Sequence, residues 1–281
     1  MEPLEKLYRY LRWPMDPGEP ESMKRYEAIK GFFLEKLGRE IPFHGEASIL
    51  DVAAGTGIAS VALAEALICR GASVEEVVVT DVRRGDLEKA YKWLDIRGLA
   101  GIKLYTRQVD GRKLVEEVRG KYSYVLMWGS PLPHLSTWDY ALIVANTREL
   151  VGEGGVFMVE QKNILPRVLH TNTYKDVYVS PGKAGGTLIV SIMTGYDEFT
   201  GMDVKQQYVV PGFQYIGEAR SRLWDLATVL TITWLFYERV ELYGSSKPGV
   251  ESVVVAREPR GRAPSARSLI DTLPSRISLD T

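Results

Sequence analysis

Ser48-Ile49-Leu50-Asp51-Val52-Ala53-Ala54-Gly55-Thr56-Gly57 is the stretch from which the rest of the chain can be read. An apolar run ends in a carboxylate, passes through a turn of small residues and opens onto the Ala/Leu-rich segment Ile58 to Ile68. A buried strand hands over in this way to a helix whose first turn approaches a ligand closely. The same rhythm continues downstream. Strands are expected at Ser48 to Val52, Val77 to Thr80, Ile102 to Gln108, Tyr122 to Trp128 and Val156 to Glu160, with helical patterns at Ile58 to Arg70, Gly85 to Arg97, Arg112 to Val118 and Trp138 to Leu150. Such strands, separated by helices and buried on both faces, predict a parallel α/β sheet.

On the N-terminal side, Leu4, Leu7, Tyr8 and Leu11 fall at helical spacing, then come the breakers Trp13 to Gly18, then Met23, Tyr26, Ile29, Phe33 and Leu37 at steps of three and four. These predict a helical cap over residues 1–46. After strand five, residues 163–217 read as an antiparallel insertion of about three strands, Tyr174 to Val179, Thr187 to Tyr196 and Lys205 to Val210. A helix from Arg220 to Phe236 follows. Val240 to Tyr243 and Ser252 to Ala256, joined by the tight turn Ser245 to Gly249, must be antiparallel. The core then comprises 47–162 and 218–257, and the Arg/Pro/Ser-rich stretch 258–281 is expected to be a flexible or surface-draped tail.

The 281 residues are 45% hydrophobic and 25% charged, as in a soluble globule with a real core. A formal net charge of −1 supplies no global field toward nucleic acid or an anionic membrane. The single cysteine, Cys69, excludes an internal disulfide or a cysteine zinc cluster, and its apolar setting predicts a small core residue. The run Ile58 to Ile68 is well short of the roughly 20 residues a bilayer demands. Met1 to Trp13 has no uninterrupted apolar core, so it does not read as a signal peptide, and a cytoplasmic protein is expected. His44, His134 and His170 lack partners at metal-ligand spacing, so no metal is expected.

Three acids, Asp51, Asp81 and Asp110, stand just past successive strands, roughly 30 residues apart, the length of one βα unit. Any one of them could simply cap a loop. In phase with a glycine turn, they mark the sheet edge where open α/β folds bind ligands. With these residues in place, the chain resembles the class I S-adenosylmethionine-dependent methyltransferases, motif by motif over residues 47–160 and by topology over 218–257. The resemblance implies a Rossmann-like, doubly wound, mostly parallel sheet of seven strands in the order 3-2-1-4-5-7-6, strand 7 antiparallel. It also implies S-adenosylmethionine as cofactor and S-adenosylhomocysteine as product.

By the same resemblance, the turn Ala53, Gly55, Thr56 and Gly57 approaches the methionine and ribose portions, and Asp51 orients the amino end through water. Asp81 takes the ribose hydroxyls, Val82 lies against adenine, Asp110 with Gly111 recognises the adenine amine, and Trp128-Gly129 offers backbone to the methionine ammonium. Ala53 replaces the family's usual first glycine, which leaves the backbone path there open. The rival NAD(P) reading rests on Gly55 to Ser60, which matches only the first half of G-x-G-x-x-G.

Strand four exits into Ser130-Pro131-Leu132-Pro133, which breaks the [DNS]-P-P-aromatic motif of nucleic-acid amino methylases at its second proline. No nucleic-acid or membrane partner is expected. His134, on this edge, is the candidate catalytic group, either contacting the acceptor or taking its proton, against the plainer reading that it holds its loop in place. Tyr8, Trp13, Tyr26, Tyr196, Asp197 and Arg222 are candidate acceptor-pocket residues, because the family builds that pocket from such extra elements. The expected function is methyl transfer to a small-molecule nucleophile by direct displacement. The alternatives are a nucleic-acid or protein methyltransferase and a non-catalytic module that binds S-adenosylmethionine.

Overall fold

A computed structural model describes residues 2–11, 13–245 and 248–279. Helices α1 (Glu2–Tyr10) and α2 (Pro20–Lys36) precede β1 (Glu46–Val52). Then follow α3 (Ile58–Cys69), β2 (Ser73–Asp81), α4 (Arg84–Leu87), α5 (Lys89–Arg97), β3 (Lys103–Gln108), α6 (Leu114–Glu117), β4 (Tyr122–Met127), α7 (Thr137–Leu150) and β5 (Val151–Gln161). The insertion carries α8 (Leu165–Thr171), β6 (Val177–Pro181), β7 (Leu188–Asp197), β8 (Met202–Val210) and β9 (Gln214–Ser221). The chain returns through α9 (Leu226–Phe236), β10 (Tyr237–Tyr243), β11 (Ser252–Pro259) and α10 (Ala266–Asp271).

The main sheet runs β3-β2-β1-β4-β5-β11-β10, with β11 antiparallel to both β5 and β10 and the other described pairs parallel. This is the expected seven-stranded order. Successive strand residues point to opposite faces, and the core divides accordingly. Ile49, Val79, Tyr124 and Leu126 pack with α2, α3 and α5 through Phe33, Leu63 and Trp93. Leu50, Val125, Met127 and Val254 pack with α7 and α9 through Tyr140, Ile143 and Val229. Ser136 and Asp139 form a reciprocal capping box that fixes the start of α7 beside the end of β4.

The structure corrects the expected insertion, which is a four-stranded antiparallel sheet, β6-β7-β8-β9. Arg220 lies in β9 rather than opening a helix. Helix α9 starts at Leu226, where the Asp225 side chain accepts from Thr228 N at 2.8 Å. Cys69 is exposed, not core: it ends α3, whose last buried residue is Leu67. The stretch after β11 is also not a free tail as far as Leu279. Arg148 Nη1 donates to the carbonyls of Arg260 and Ala263 at 2.7 and 2.8 Å, Ala266 N donates to Glu149 Oε1 at 2.8 Å, and Ala266 is buried. These charge-assisted bonds to backbone hold it along α7.

The cap and insertion meet over the sheet edge. Lys183 N donates to Tyr10 O at 2.7 Å, and Leu11 bridges Gly182. Among the described residues no helix is long and apolar enough to cross a membrane.

Candidate active site

A cavity of about 640 Å³ opens at the carboxyl ends of β1 to β4, a size suited to a drug-sized ligand. Ala53, Gly55, Asp81, Val82, Asp110, Gly111, Trp128 and Gly129 line it, together with Tyr8, Trp13 and His134. Asp51, Thr56 and Gly57 stand behind this wall. The turn keeps the glycine-type path at the substituted position: Ala53 has φ +53°, Gly55 +59° and Gly57 +72°. The methyl group of Ala53 is therefore carried in the left-handed region, at a cost of about 1 kcal/mol. A Cβ on Gly55 would lie 3.0 Å from Arg83 Nη2, so glycine is needed there for close approach as well as conformation. Thr56 Oγ1 donates to Met15 O at 2.7 Å and ties the segment after α1 onto the turn.

The acids at β2 and β3 share a local construction. Asp81 Oδ1 accepts from Arg83 N at 2.8 Å and Nε at 3.2 Å, while Oδ2 accepts from Gly55 N at 2.7 Å. Arg83 Nη1 also pairs with Asp86 at 2.6 Å. Asp110 Oδ1 accepts from Arg112 N at 2.9 Å and Nε at 3.0 Å, Oδ2 accepts from Nη2 at 2.6 Å, and Arg112 Nη1 reaches Asp139 at 3.1 Å. Each arginine is thus clamped between two carboxylates. Burial alone would raise Asp110, but the hydrogen bonds from Arg112 outweigh it and hold its pKa below the ordinary value. Burial opposes charge on both arginines, yet their carboxylate partners raise both pKa values. The repeat Asp81-Val82-Arg83 and Asp110-Gly111-Arg112 is visible in the sequence as Asp-x-Arg at two strand ends, a signal the motif reading missed.

Asp51 has no such arginine. It is fully buried, Oδ2 accepts from Ser60 N at 3.2 Å, and Oδ1 has no hydrogen-bond partner. Burial pushes its pKa up to about 7.

At the exit of β4, Gly129 (φ +92°) and Ser130 (φ +53°) turn the chain sharply, and Gly129 N donates to buried Glu160 at 2.8 Å. Arg25, a cavity residue that sequence reasoning passed over, sits here. Its guanidinium is 3.8 Å from Glu160, 5.4 Å from the Trp13 ring centroid, and would lie 3.2 Å from a Cβ on Gly129. Burial lowers the Arg25 pKa and raises that of Glu160, as expected for an ion pair largely removed from water.

Helix α1 crosses the cavity. The Tyr8 hydroxyl and His134 Nε2 are 2.9 Å apart, and the Arg83 guanidinium carbon lies 4.2 Å from the Tyr8 ring centroid. His134 Nδ1 is shut off from solvent without a hydrogen-bond partner. Burial, with the Arg83 charge adding to it, pushes the His134 pKa down to about 4, so the imidazole is neutral at pH 7. Burial also raises Tyr8 above its ordinary value.

Three pocket candidates fall elsewhere. Tyr26 is fully buried: its hydroxyl donates to Glu65 Oε2 at 2.6 Å and its ring stacks on Trp93 at 5.1 Å, so it braces α2 against α3 and α5. Tyr196 is 58% exposed and outside the cavity lining, whereas its neighbour Asp197 lines it, because adjacent strand residues face opposite ways. Arg222 Nη1 donates to Gly201 O at 3.1 Å and lies over Trp224 instead of lining the cavity. Among the described residues no group of three or more His, Cys, Asp or Glu side chains is placed to hold a metal.

Solved structures share this architecture. The CcbJ methyltransferase of Streptomyces caelestis matches 92% of this chain and 97% of its own at a TM-score of 0.60 and 17% identity. An S-adenosylmethionine-dependent methyltransferase of Clostridium acetobutylicum matches 83% of this chain and 92% of its own at 0.57 and 15%. The chain thus shares the Rossmann-like fold of these methyltransferases. Two curated relatives align at 32% identity with part of this methyltransferase-fold chain. One is the glycine/sarcosine/dimethylglycine N-methyltransferase of Actinopolyspora halophila, over 143 residues; the other is the glycine/sarcosine N-methyltransferase of Halorhodospira halochloris, over 133. The matches take in 50% and 47% of this chain, which spans less than half the length of either relative, 23% and 44%. No family model matches the chain.

Proposed function

We propose that this cavity binds S-adenosylmethionine and that the chain passes its methyl group to a small-molecule amine. The observation that carries the reading is the placement of Asp81, Asp110 and Arg25 along one cavity: two acceptor groups on adjacent strands and one buried cation beyond them. Ribose hydroxyls and an adenine amine are donors, and ionised carboxylates offer only acceptors. The cofactor's own carboxylate calls for a cation, which Arg25 supplies. In this arrangement Val82 lies against the purine and Gly111 lets it approach. The turn from Ala53 to Gly57 and the backbone of Trp128-Gly129 flank the methionine end, and Asp51 acts from behind through its unpartnered oxygen.

S-adenosylmethionine brings a methyl group already activated on a sulfonium, so the protein's main task is alignment of the nucleophile. A nitrogen acceptor accords with the names of the two sequence relatives. A neutral His134, its ring held at Nε2 by Tyr8, lines the cavity without setting a positive charge beside an amine acceptor. With its pKa near 4, His134 is a poor base for an ammonium and serves as part of the cavity wall. The cap over residues 1–46 and the insertion over 163–217, joined through Tyr10 and Lys183, enclose the acceptor.

The test is incubation of the protein with methyl-labelled cofactor and cell extract. Label in a nuclease- and protease-resistant amine fraction supports the reading. Label in RNA, DNA or protein redirects it, and no transfer despite cofactor binding points to a binding module.

A further inference from the structure

We infer that the C-terminal run Arg276–Ser278 forms the outer wall of the adenine end of the cavity and contributes directly to cofactor affinity; this rests on the S-adenosylmethionine reading above. The same cavity that holds Asp110, Gly111 and Arg112 is lined by Arg276, Ile277 and Ser278. The run is tethered on both sides of the mouth. Arg112, clamped on Asp110 through Nε and Nη2, donates from Nη1 to Ser278 O at 3.4 Å. The Arg276 guanidinium lies 5.8 Å from the Phe199 ring, which stacks on Trp138 at 5.5 Å, so the β7–β8 turn, the start of α7 and the chain's C-terminal run converge there. Ile277 N donates to Pro274 O at 2.8 Å, closing a turn that carries the run back from α10. Upstream, the Arg148 and Glu149 bonds anchor the segment independently of the cavity. An apolar, half-buried Ile277 lining the same cavity as the acceptor Asp110 suits a purine, which presents a flat apolar face and a polar edge.

Calorimetry on the full chain tests this with S-adenosylhomocysteine and with adenosine. Ile277→Asp is expected to weaken both ligands by the same factor, about tenfold, and Ile277→Ala by about threefold. The thermal midpoint should stay unchanged, because the anchors lie elsewhere. Equal loss for the two ligands places the effect at the adenosine end rather than the methionine end. If the unaltered chain binds S-adenosylhomocysteine and both variants bind it equally well, the wall assignment is wrong while the cofactor reading survives. If the unaltered chain binds neither ligand, both fall.

Discussion

At the end of β2, Arg83 bonds Asp81, pairs with Asp86 and lies beneath the ring of Tyr8; at the end of β3, Arg112 bonds Asp110, pairs with Asp139 and reaches the carbonyl of Ser278. One construction is thus covered by the first helix of the chain in one place and by the C-terminal run in the other. The settings differ in access to water: the side chain of Asp81 is 4% exposed and that of Asp110 is 27%. Screening weakens an ion pair that water reaches, and leaving a buried charge without its partner is costly. The third strand-end acid, Asp51, lacks an arginine altogether, and its pKa has moved in the opposite direction from that of Asp110. A local Asp-x-Arg repeat therefore separates two arginine-paired carboxylates that line the cavity from one left to burial.

Removing the cations tests that contrast. Arg83→Met leaves buried Asp81 without its cation, while Asp86 keeps Lys89 at 2.9 Å, and takes away the partner of the Tyr8 ring. It is expected to destabilise the fold by about 3 kcal/mol and to weaken S-adenosylhomocysteine binding by more than tenfold. Arg112→Met, at the wetter clamp, should cost about 1 kcal/mol and severalfold in affinity. Thermal melts and calorimetry on both variants check the ranking, and a larger loss for Arg112→Met would break the comparison.

Asp51→Asn sharpens the contrast from the other side. In the unfolded chain this carboxyl loses its proton near pH 4, whereas in the fold it holds it to about pH 7. Its contribution to stability is thus complete below about pH 4 and is lost as pH rises through 7. The asparagine variant should match the unaltered chain in acid and exceed it above pH 7, by at most about 4 kcal/mol. Its affinity for S-adenosylhomocysteine should fall only about threefold, since the group acts from behind the cavity wall. Melts from pH 4 to 8 decide: equal stability at every pH would mean that the buried carboxyl does not titrate as described.

The sheet was legible in the sequence because strands buried on both faces leave apolar runs, and because Asp51, Asp81 and Asp110 each mark the place where one ends. The cover over the sheet edge was legible only in outline. Tyr8 and Tyr26 look alike at helical spacing, but only the tertiary arrangement turns one to the cavity and the other against Trp93. Arg25 reads as one more surface cation until Glu160 and Trp13 are seen around it. Strand β9 was hidden because Gln214 to Ser221 mixes glycine and charged residues with few apolar ones. The Arg/Pro/Ser composition after β11 leaves a flexible and a surface-draped tail both open, since the bonds that hold it join Arg148 and Glu149 to backbone atoms, which composition does not register.

The most direct test of the central claim, that this sheet edge is an adenosyl cofactor site, is calorimetric titration of the chain and of Asp81→Ala with S-adenosylhomocysteine. The account predicts one site per chain and a loss of at least about a hundredfold in the variant, as expected when the charged acceptor for two hydroxyls is removed. Unchanged affinity in Asp81→Ala, with the fold intact by circular dichroism, would contradict it.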